Sequence, residues 1–206
     1  MSGFTQPQET WNQRFQNPDY VFGELPNAYL RQQKSHLMPG NALAVADGEG
    51  RNGVWLAEQG LVVDAFDFSE VAIQKANALA LKRKVSVNFV CANWESFDWG
   101  PEIYDNVVGI FFQFATPDQR SRLFTLMTDS LRPGGTLIIQ GYTERQLEFK
   151  TGGPGKVEHM YNETMMRDAF SGWEFIDLRT YEAELSEGSG HSGRSGLLGL
   201  TVRKPL

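Results

Sequence analysis

The sequence holds very little cysteine. Cys91 is the only one among 206 residues, so an internal disulfide is excluded. The N-terminal stretch MSGFTQPQET lacks the basic and then apolar pattern of a signal peptide. No uninterrupted apolar run approaches the roughly 20 residues that a membrane span requires. These absences predict a cytoplasmic protein that does not bind a membrane.

Positive charge is scarce as well. Lysine and arginine number 19 against 25 acidic residues, which gives a net charge of −6. Nucleic acids and anionic lipids repel such a chain, so we expect a small-molecule partner and no nucleic acid, and we predict no metal site. A chain of this length buries roughly 70% of its unfolded surface. This predicts one domain over residues 1–206, with a helical lead-in (1–40) and a core (41–206).

From residue 40 onward, short apolar strands alternate with helical patterns. NALAVA predicts a strand, RNGVWLAEQ a helix that ends at Gly60, and LVVDAF the next strand. This order is typical of a parallel sheet with helices on its faces. The predicted strands cover residues 41–46, 61–66, 85–90, 106–112, 136–142, 173–185 and 196–204.

The last two predicted strands flank SEGSGHSGRS, residues 186–195, which has no helical pattern. Two strands joined over about ten residues without a helix should pair antiparallel. The predicted fold is therefore an α/β, Rossmann-like three-layer sandwich. Its seven-stranded sheet is parallel over the first five strands and ends in an antiparallel hairpin.

Capping residues mark where three of the helices begin. Ser69 precedes EVAIQKANALALK, and Asn162 precedes a helix that runs to about residue 170. Thr116-Pro117-Asp118-Gln119 has the capping-box spacing, with proline at the first helical position.

The first 40 residues show no strand pattern. TWNQRFQ and PNAYLRQQKSHL predict short helices on either side of NPDYVFGEL. A segment of this length ahead of the first strand is unusual for a nucleotide-binding fold. We therefore expect it to cover a site or to pack on the sheet.

The stretch ALAVADGEGRNG contains Gly48-x-Gly50-x-x-Gly53 after the first predicted strand. This is the spacing of the dinucleotide fingerprint, in which loop amides and a helix N-terminus face a pyrophosphate. Asp47 and Glu49 lie in the same loop, and their carboxylates would repel that pyrophosphate. The sulfonium and amino groups of S-adenosylmethionine are cations, so the two acids favour this cofactor instead.

Asp67 ends the second predicted strand, where both cofactor classes place a carboxylate that binds ribose hydroxyls. The closing hairpin discriminates between the classes, because dinucleotide folds generally continue with parallel strands. A terminal antiparallel hairpin is usual for class I methyltransferases. A nicotinamide-dependent oxidoreductase that uses the same glycines is the alternative.

Several segments together resemble one family. WNQRF, YVFGELPNAYL, DGEGRNGVWLAEQGLVVDAFDFSEVAIQKA, LRPGGTLIIQGY and QLEFKTGGP are similar to segments of class I S-adenosylmethionine-dependent methyltransferases. More narrowly, they resemble the group of tellurite-resistance and thiopurine-type enzymes. The resemblance implies methyl transfer to a small-molecule acceptor such as a thiol or a chalcogen oxyanion.

The resemblance also implies which residues bind the cofactor, and the sequence departs from the family at two of the loop positions. The family pattern Asp-x-Gly-x-Gly-x-Gly has alanine here at its first two defined positions, Ala44 and Ala46. A non-catalytic module that binds S-adenosylmethionine is therefore a further alternative. The implied cofactor-binding residues are Asp47, Gly48, Glu49, Gly50, Asn52, Asp67, Phe68, Asn93 and Trp94.

The loops at the same sheet edge supply four acceptor-side candidates. Gln113 follows the fourth predicted strand, and Tyr142 ends the fifth. His191 and Arg194 lie three residues apart among glycines and serines, a combination that offers donors and a positive charge to an anion. The alternative for this pair is an ordinary hairpin turn. His159 is predicted to be an exposed loop residue. Methyl transfer depends mainly on positioning, so no catalytic triad is expected.

Overall fold

The computed structural model describes residues 7–206, and the first six residues of the predicted lead-in lie outside this range. Seven strands and seven α-helices make up the described chain. The strands are β1 Asn41–Val45, β2 Val62–Asp67, β3 Asn88–Cys91, β4 Tyr104–Ile110, β5 Leu131–Tyr142, β6 Glu174–Glu187 and β7 His191–Arg203. The helices are α1 Pro7–Phe15, α2 Ala28–Gln32, α3 Arg51–Glu58, α4 Glu70–Arg83, α5 Pro117–Ser130, α6 Gln146–Phe149 and α7 Glu163–Ala169.

The strands form one sheet in the order β3-β2-β1-β4-β5-β7-β6. The first five are parallel, and β7 lies antiparallel between β5 and β6. This confirms the predicted fold class. The strand order reverses between β1 and β4, so the carboxyl ends of these two strands border the crevice where ligands of such sheets bind.

Side chains along β1 and β4 point alternately to the two faces of the sheet, and each face packs against its own hydrophobic core. Leu43 and Val107 face a core that includes helix α5, while Ala42 and Val108 face the opposite core, which includes Tyr29 of α2. Successive side chains of a strand point to opposite faces, so a strand that is apolar at every position needs cover on both. None of the helices in residues 7–206 is long and apolar enough to cross a membrane.

The predicted helix caps are confirmed. The Ser69 hydroxyl accepts from the backbone amide of Ala72, and the Asn162 side chain accepts from that of Met165. Thr116 and Gln119 form the reciprocal capping box at the start of α5. Local side-chain chemistry alone determines these helix starts, which is why the sequence predicts them.

The predicted ten-residue connection between the last two strands is wrong. β6 continues to Glu187 and β7 begins at His191, so the turn spans only residues 188–190. Gly193 of this segment and Gly196 directly after it serve close packing. A Cβ at Gly193 would lie 2.9 Å from Cγ2 of Thr151, and one at Gly196 would lie 2.7 Å from Cβ of Arg145. These small residues let the chain after β5 lie against β7.

Candidate functional site

The glycine-rich loop leaves β1 and enters α3 through left-handed backbone conformations. Gly48 and Gly50 have φ values of +57° and +88°, and Ala46 has +49° although it is not a glycine. A Cβ at Gly50 would lie 2.7 Å from Cβ of Ala76 on α4. The loop therefore has the left-handed glycines that are typical of a nucleotide-binding fold, and Ala46 is a strained residue beside them.

Asp47 occupies the N-terminus of helix α3. Its Oδ2 accepts from the backbone N–H of Gly53 at 3.0 Å. Burial raises the pKa of this carboxyl to about 7, against the lowering effect of the backbone amides and of Arg51. These amides are the donors that a pyrophosphate uses in a dinucleotide fold. The protein's own carboxylate already takes them, so the loop is unsuited to a pyrophosphate.

Asp67 closes the other side of the loop from the end of β2. Its Oδ2 accepts from Gly48 N–H at 3.0 Å and its Oδ1 from Ser69 N–H at 2.9 Å. Burial raises the pKa of Asp67 to about 6, and the backbone hydrogen bonds oppose this rise. The two amides fix the carboxylate against the glycine loop, which is the position expected for a ribose-binding acid.

Two other predicted cofactor residues hold the lead-in. Glu49 pairs with Lys75 of α4 and accepts from the backbone N–H of Phe22 at 3.3 Å. Asn52 Oδ1 accepts from the backbone N–H of Asn27 at 3.0 Å. The lead-in is thus docked onto the same loop that is predicted to bind the cofactor.

Three further residues that the resemblance implies for cofactor binding lie after β2 and β3. Asn93 Oδ1 accepts from the backbone amides of Glu95 and Ser96, both at 2.9 Å. Trp94 is packed in the hydrophobic core, and the Arg122 guanidinium carbon lies 5.3 Å from its ring centroid. Phe68 is half-buried next to Asp67. Asn93 and Trp94 therefore have structural partners in this structure, whereas the Phe68 side chain stays partly open.

The acceptor side of the edge is built on a hydrogen-bonded pair of aromatic residues. The Tyr142 hydroxyl lies 2.6 Å from Nδ1 of His191. The imidazole is stacked between Phe22, with centroids 4.5 Å apart, and Phe111, at 4.2 Å. Burial, followed by the charges of Arg51 and Arg14, lowers the pKa of His191 to about 3. Burial also raises the pKa of Tyr142. Both side chains are therefore neutral near pH 7.

Gln113 positions the chain around this pair. Its Nε2 donates to the carbonyls of Tyr142 and His159, both at 2.9 Å, and its Oε1 accepts from Tyr142 N–H. The side-chain amide of Gln113 thus bonds to backbone groups through both its nitrogen and its oxygen. The prediction that His159 is exposed is wrong, because its ring is buried and its Nδ1 lies 3.1 Å from the carbonyl oxygen of Gln113.

Arg194 does not join His191. It is exposed and pairs with Glu182 at 2.6 Å, on the outer face of the hairpin. His191 and Arg194 are three positions apart on one strand, and an odd separation places side chains on opposite faces. The expectation that they act together assumed a turn, and the continuous strand overturns it.

The lead-in contributes Phe22 and Arg14 to this edge, and Arg14 is the one that the sequence analysis missed. Phe22 stacks on His191, and the Arg14 guanidinium carbon lies 4.9 Å from the Trp11 ring centroid and 5.3 Å from that of Phe22. The signal was present, since Trp11, Arg14 and Phe15 have the i, i+3, i+4 spacing of one helical face. Tertiary packing decides what that face covers.

A family model described as a methyltransferase domain matches residues 42–135, the segment from β1 into β5 that carries the glycine loop and Asp67. This segment of the chain is similar to a methyltransferase domain. The matched segment also contains Asp47, whose carboxylate occupies the N-terminus of α3. A search of curated proteins finds no match to the sequence.

Solved structures share the fold of this chain along most of its length. TehB from Haemophilus influenzae is 17% identical with a TM-score of 0.71, over 96% of this chain and 66% of that one. The N-methyltransferase NodS from Bradyrhizobium japonicum WM9, in complex with S-adenosyl-L-homocysteine, is 15% identical with a TM-score of 0.70, over 97% and 98%. A protein solved in work on conversion of a disulfide bond into a thioacetal group during echinomycin biosynthesis is 19% identical with a TM-score of 0.77, over 96% and 91%. At these identities the likeness shows the fold alone.

Proposed function

We propose that this methyltransferase methylates a small-molecule acceptor whose attacking atom is a thiol sulfur or belongs to a chalcogen oxyanion. The observation that carries the proposal is the neutral Tyr142–His191 pair at the carboxyl edge of the sheet. Tyr142 ends β5 and His191 begins the neighbouring strand β7, and Phe111, directly after β4, stacks on the His191 ring.

The residues present fit S-adenosylmethionine. Asp67 is a fixed acceptor for ribose hydroxyls, the loop from Gly48 to Gly50 presents backbone to the methionine end, and Phe68 offers an apolar face to adenine. When bound, the cofactor supplies a methyl group that its sulfonium already activates. The protein's task is then to hold the acceptor in line, and such positioning supplies roughly 7 to 11 kcal/mol.

His191 is a poor base for this reaction. A thiol has an ordinary pKa of about 8.5, whereas the pKa of His191 is lowered to about 3. Moving a proton from the thiol to this imidazole would cost about 7 kcal/mol. The pair therefore positions an acceptor that arrives as an anion. Chalcogen oxyanions meet this condition near neutral pH, and a thiol meets it through its thiolate form, a few per cent of an ordinary thiol at pH 7. Amines and alcohols need a base.

The nicotinamide alternative is disfavoured by the same site. Asp47 takes the amide of Gly53 at the N-terminus of α3, which leaves no place there for a pyrophosphate. We also propose a cytoplasmic location and a small-molecule partner, supported by the single cysteine and the acidic composition.

An acceptor screen with methyl-labelled S-adenosylmethionine tests the proposal. The panel contains thiols, selenite, tellurite, amines and phenols, and we expect label in a thiol or a chalcogen oxyanion. Tyr142→Phe removes only the hydroxyl and should lower kcat/KM at least tenfold without changing cofactor affinity. Tyr104→Phe is the control, because Tyr104 lies at the start of β4 and its hydroxyl donates to Asp64 of β2. Label found only in amines or phenols, or in no acceptor, would overturn the proposal.

A further inference from the structure

Arg14 on helix α1 is oriented by aromatic rings and not by an acid. Its guanidinium carbon lies 4.9 Å from the ring centroid of Trp11 and 5.3 Å from that of Phe22. Within residues 7–206 the guanidinium has no hydrogen-bond or ion-pair partner. The sequence of the first six residues, MSGFTQ, contains no acid. Stacking leaves the in-plane N–H donors of an arginine free for a ligand.

The free donors lie beside the acceptor-side pair. Phe22 contacts Arg14 and also stacks on His191 with centroids 4.5 Å apart. At the hairpin tip, a Cβ on Gly190 would lie 2.3 Å from Cε1 of Phe22 and 3.1 Å from Nη2 of Arg14. A glycine at this position lets Arg14 approach the start of β7. Arg14 thus stands in the place that sequence reasoning gave to Arg194.

The other cations near this edge are neutralised. Arg51 pairs with Glu187 at 2.7 Å, and both side chains are largely buried. Lys75 pairs with Glu49 and donates to backbone carbonyls of the lead-in. Within the described chain Arg14, an exposed residue, therefore carries the positive charge next to His191 that has no ion-pair partner. The Glu49 carboxylate, itself paired with Lys75, acts on Arg14 without contacting it. A guanidinium with free donors binds an oxygen anion through paired hydrogen bonds.

We propose that Arg14 binds an oxygen anion of the methyl acceptor and so selects anionic acceptors. The anion is either a carboxylate carried beside an attacking thiol or the chalcogen oxyanion itself. This inference rests on the proposed function and assigns the charge of its substrate. Arg14 recognises the acceptor and takes no part in bond making.

Calorimetry on the protein saturated with S-adenosyl-L-homocysteine tests this assignment without turnover. The matched probes are 4-mercaptobenzoate and 4-methylbenzenethiol, which differ in one charged group, and selenite serves as the oxyanion probe. We expect wild type to bind mercaptobenzoate or selenite at least tenfold more tightly than methylbenzenethiol. Arg14→Gln should abolish this preference, and Arg14→Lys should keep part of it. Arg167→Gln, an exposed α7 residue that pairs with Glu163, is the control.

The two charged probes distinguish the possible sources of the oxygen anion. Loss of mercaptobenzoate affinity alone in Arg14→Gln identifies a carboxylate, and loss of selenite affinity alone identifies the chalcogen oxyanion. No preference in wild type, or an equal change for charged and uncharged probes in Arg14→Gln, would overturn the assignment. Failure of methyl transfer with an intact preference would instead refute only the proposed function.

Discussion

Gly50 and Gly60 adopt the same backbone conformation in different surroundings. Both have φ +88°, but a Cβ at Gly50 would lie 2.7 Å from Cβ of Ala76 while one at Gly60 meets nothing within 4 Å. We predict that Gly60→Ala costs about 1–2 kcal/mol for the left-handed conformation. Gly50→Ala should cost about 1–3 kcal/mol more, because α4 must move. Urea unfolding of both variants measures the difference, and equal losses would contradict the close approach seen here.

Asp67 should make cofactor binding depend on pH. Its pKa is raised to about 6, and we expect the ionised carboxylate to be the form that accepts from ribose hydroxyls. As pH falls below about 6, protonation removes that acceptor, so affinity for S-adenosyl-L-homocysteine should fall roughly tenfold at pH 5. Calorimetry from pH 5 to pH 8 checks this. In Asp67→Asn the profile should be flat, and a profile like that of wild type would assign the pH dependence to another group.

Single residues of the site were predictable where they contact groups that are close to them in sequence. Asp47 illustrates this, since a carboxylate in the loop before α3 can reach the first helical amides from its own sequence position. The partners of Trp94 and Gln113 come from segments far along the chain, Arg122 for one and the loop at His159 for the other. The sequence indicated that Trp94 and Gln113 lie near this edge of the sheet, but the folded chain determines which groups contact them.

At the scale of elements, Lys75 ties the lead-in to helix α4. Its ammonium donates to the carbonyls of Asn17 and Asp19 and pairs with Glu49, whose side chain is 1% exposed. Lys75→Met would leave a buried carboxylate without its partner, which costs about 3–5 kcal/mol. We therefore expect faster hydrogen exchange at the Phe22 amide, which donates to Glu49.

Lys82 provides the control on the same helix. It also pairs with a lead-in acid, Glu24, but its side chain is 61% exposed. An exposed pair contributes at most about 1 kcal/mol, so Lys82→Met should leave exchange at Phe22 unchanged. Equal protection of Phe22 in both variants would show that the lead-in is held by other contacts.

Strands and helices were predicted well where the hydrophobic period of the sequence agrees with the capping or turn residues. The five parallel strands and α5, which begins with a capping box, are examples. The hairpin of β6 and β7 was predicted, but its strands are longer than predicted, because SEGSGHSGRS has the composition of a turn. Gly193 in this segment and Gly196 directly after it are needed partly for contacts with Thr151 and Arg145, far away in sequence. The strand order placing β7 between β5 and β6 likewise follows from packing across the sheet.

For the whole molecule, buried titratable groups set opposing pH dependences of stability. Asp47 has a folded pKa raised to about 7, above the ordinary 3.8, so its contribution is lost as pH rises from about 4 to 7. His191, lowered from 6.5 to about 3, acts in the opposite sense: its contribution is lost as pH falls from about 6.5 to 3.

Asp47→Asn separates these two effects. The asparagine keeps an acceptor for Gly53 N–H but cannot ionise. The free energy of unfolding at pH 7 minus that at pH 4 should be more positive in the variant than in wild type, by up to about 4 kcal/mol. Urea unfolding at the two pH values measures it. The same difference in both proteins would show that Asp47 ionises freely in the fold.

We predict that the edge formed by the glycine loop and Asp67 binds S-adenosylmethionine and not a dinucleotide. Calorimetric titration with S-adenosylmethionine and with NAD tests it most directly, on wild type, on Asp67→Ala and on Glu70→Ala as a control on the exposed start of α4. We predict that S-adenosylmethionine binds wild type and the control equally, that Asp67→Ala weakens it at least tenfold, and that NAD does not bind. Binding of NAD, or an Asp67→Ala variant with wild-type affinity for S-adenosylmethionine, would contradict the account.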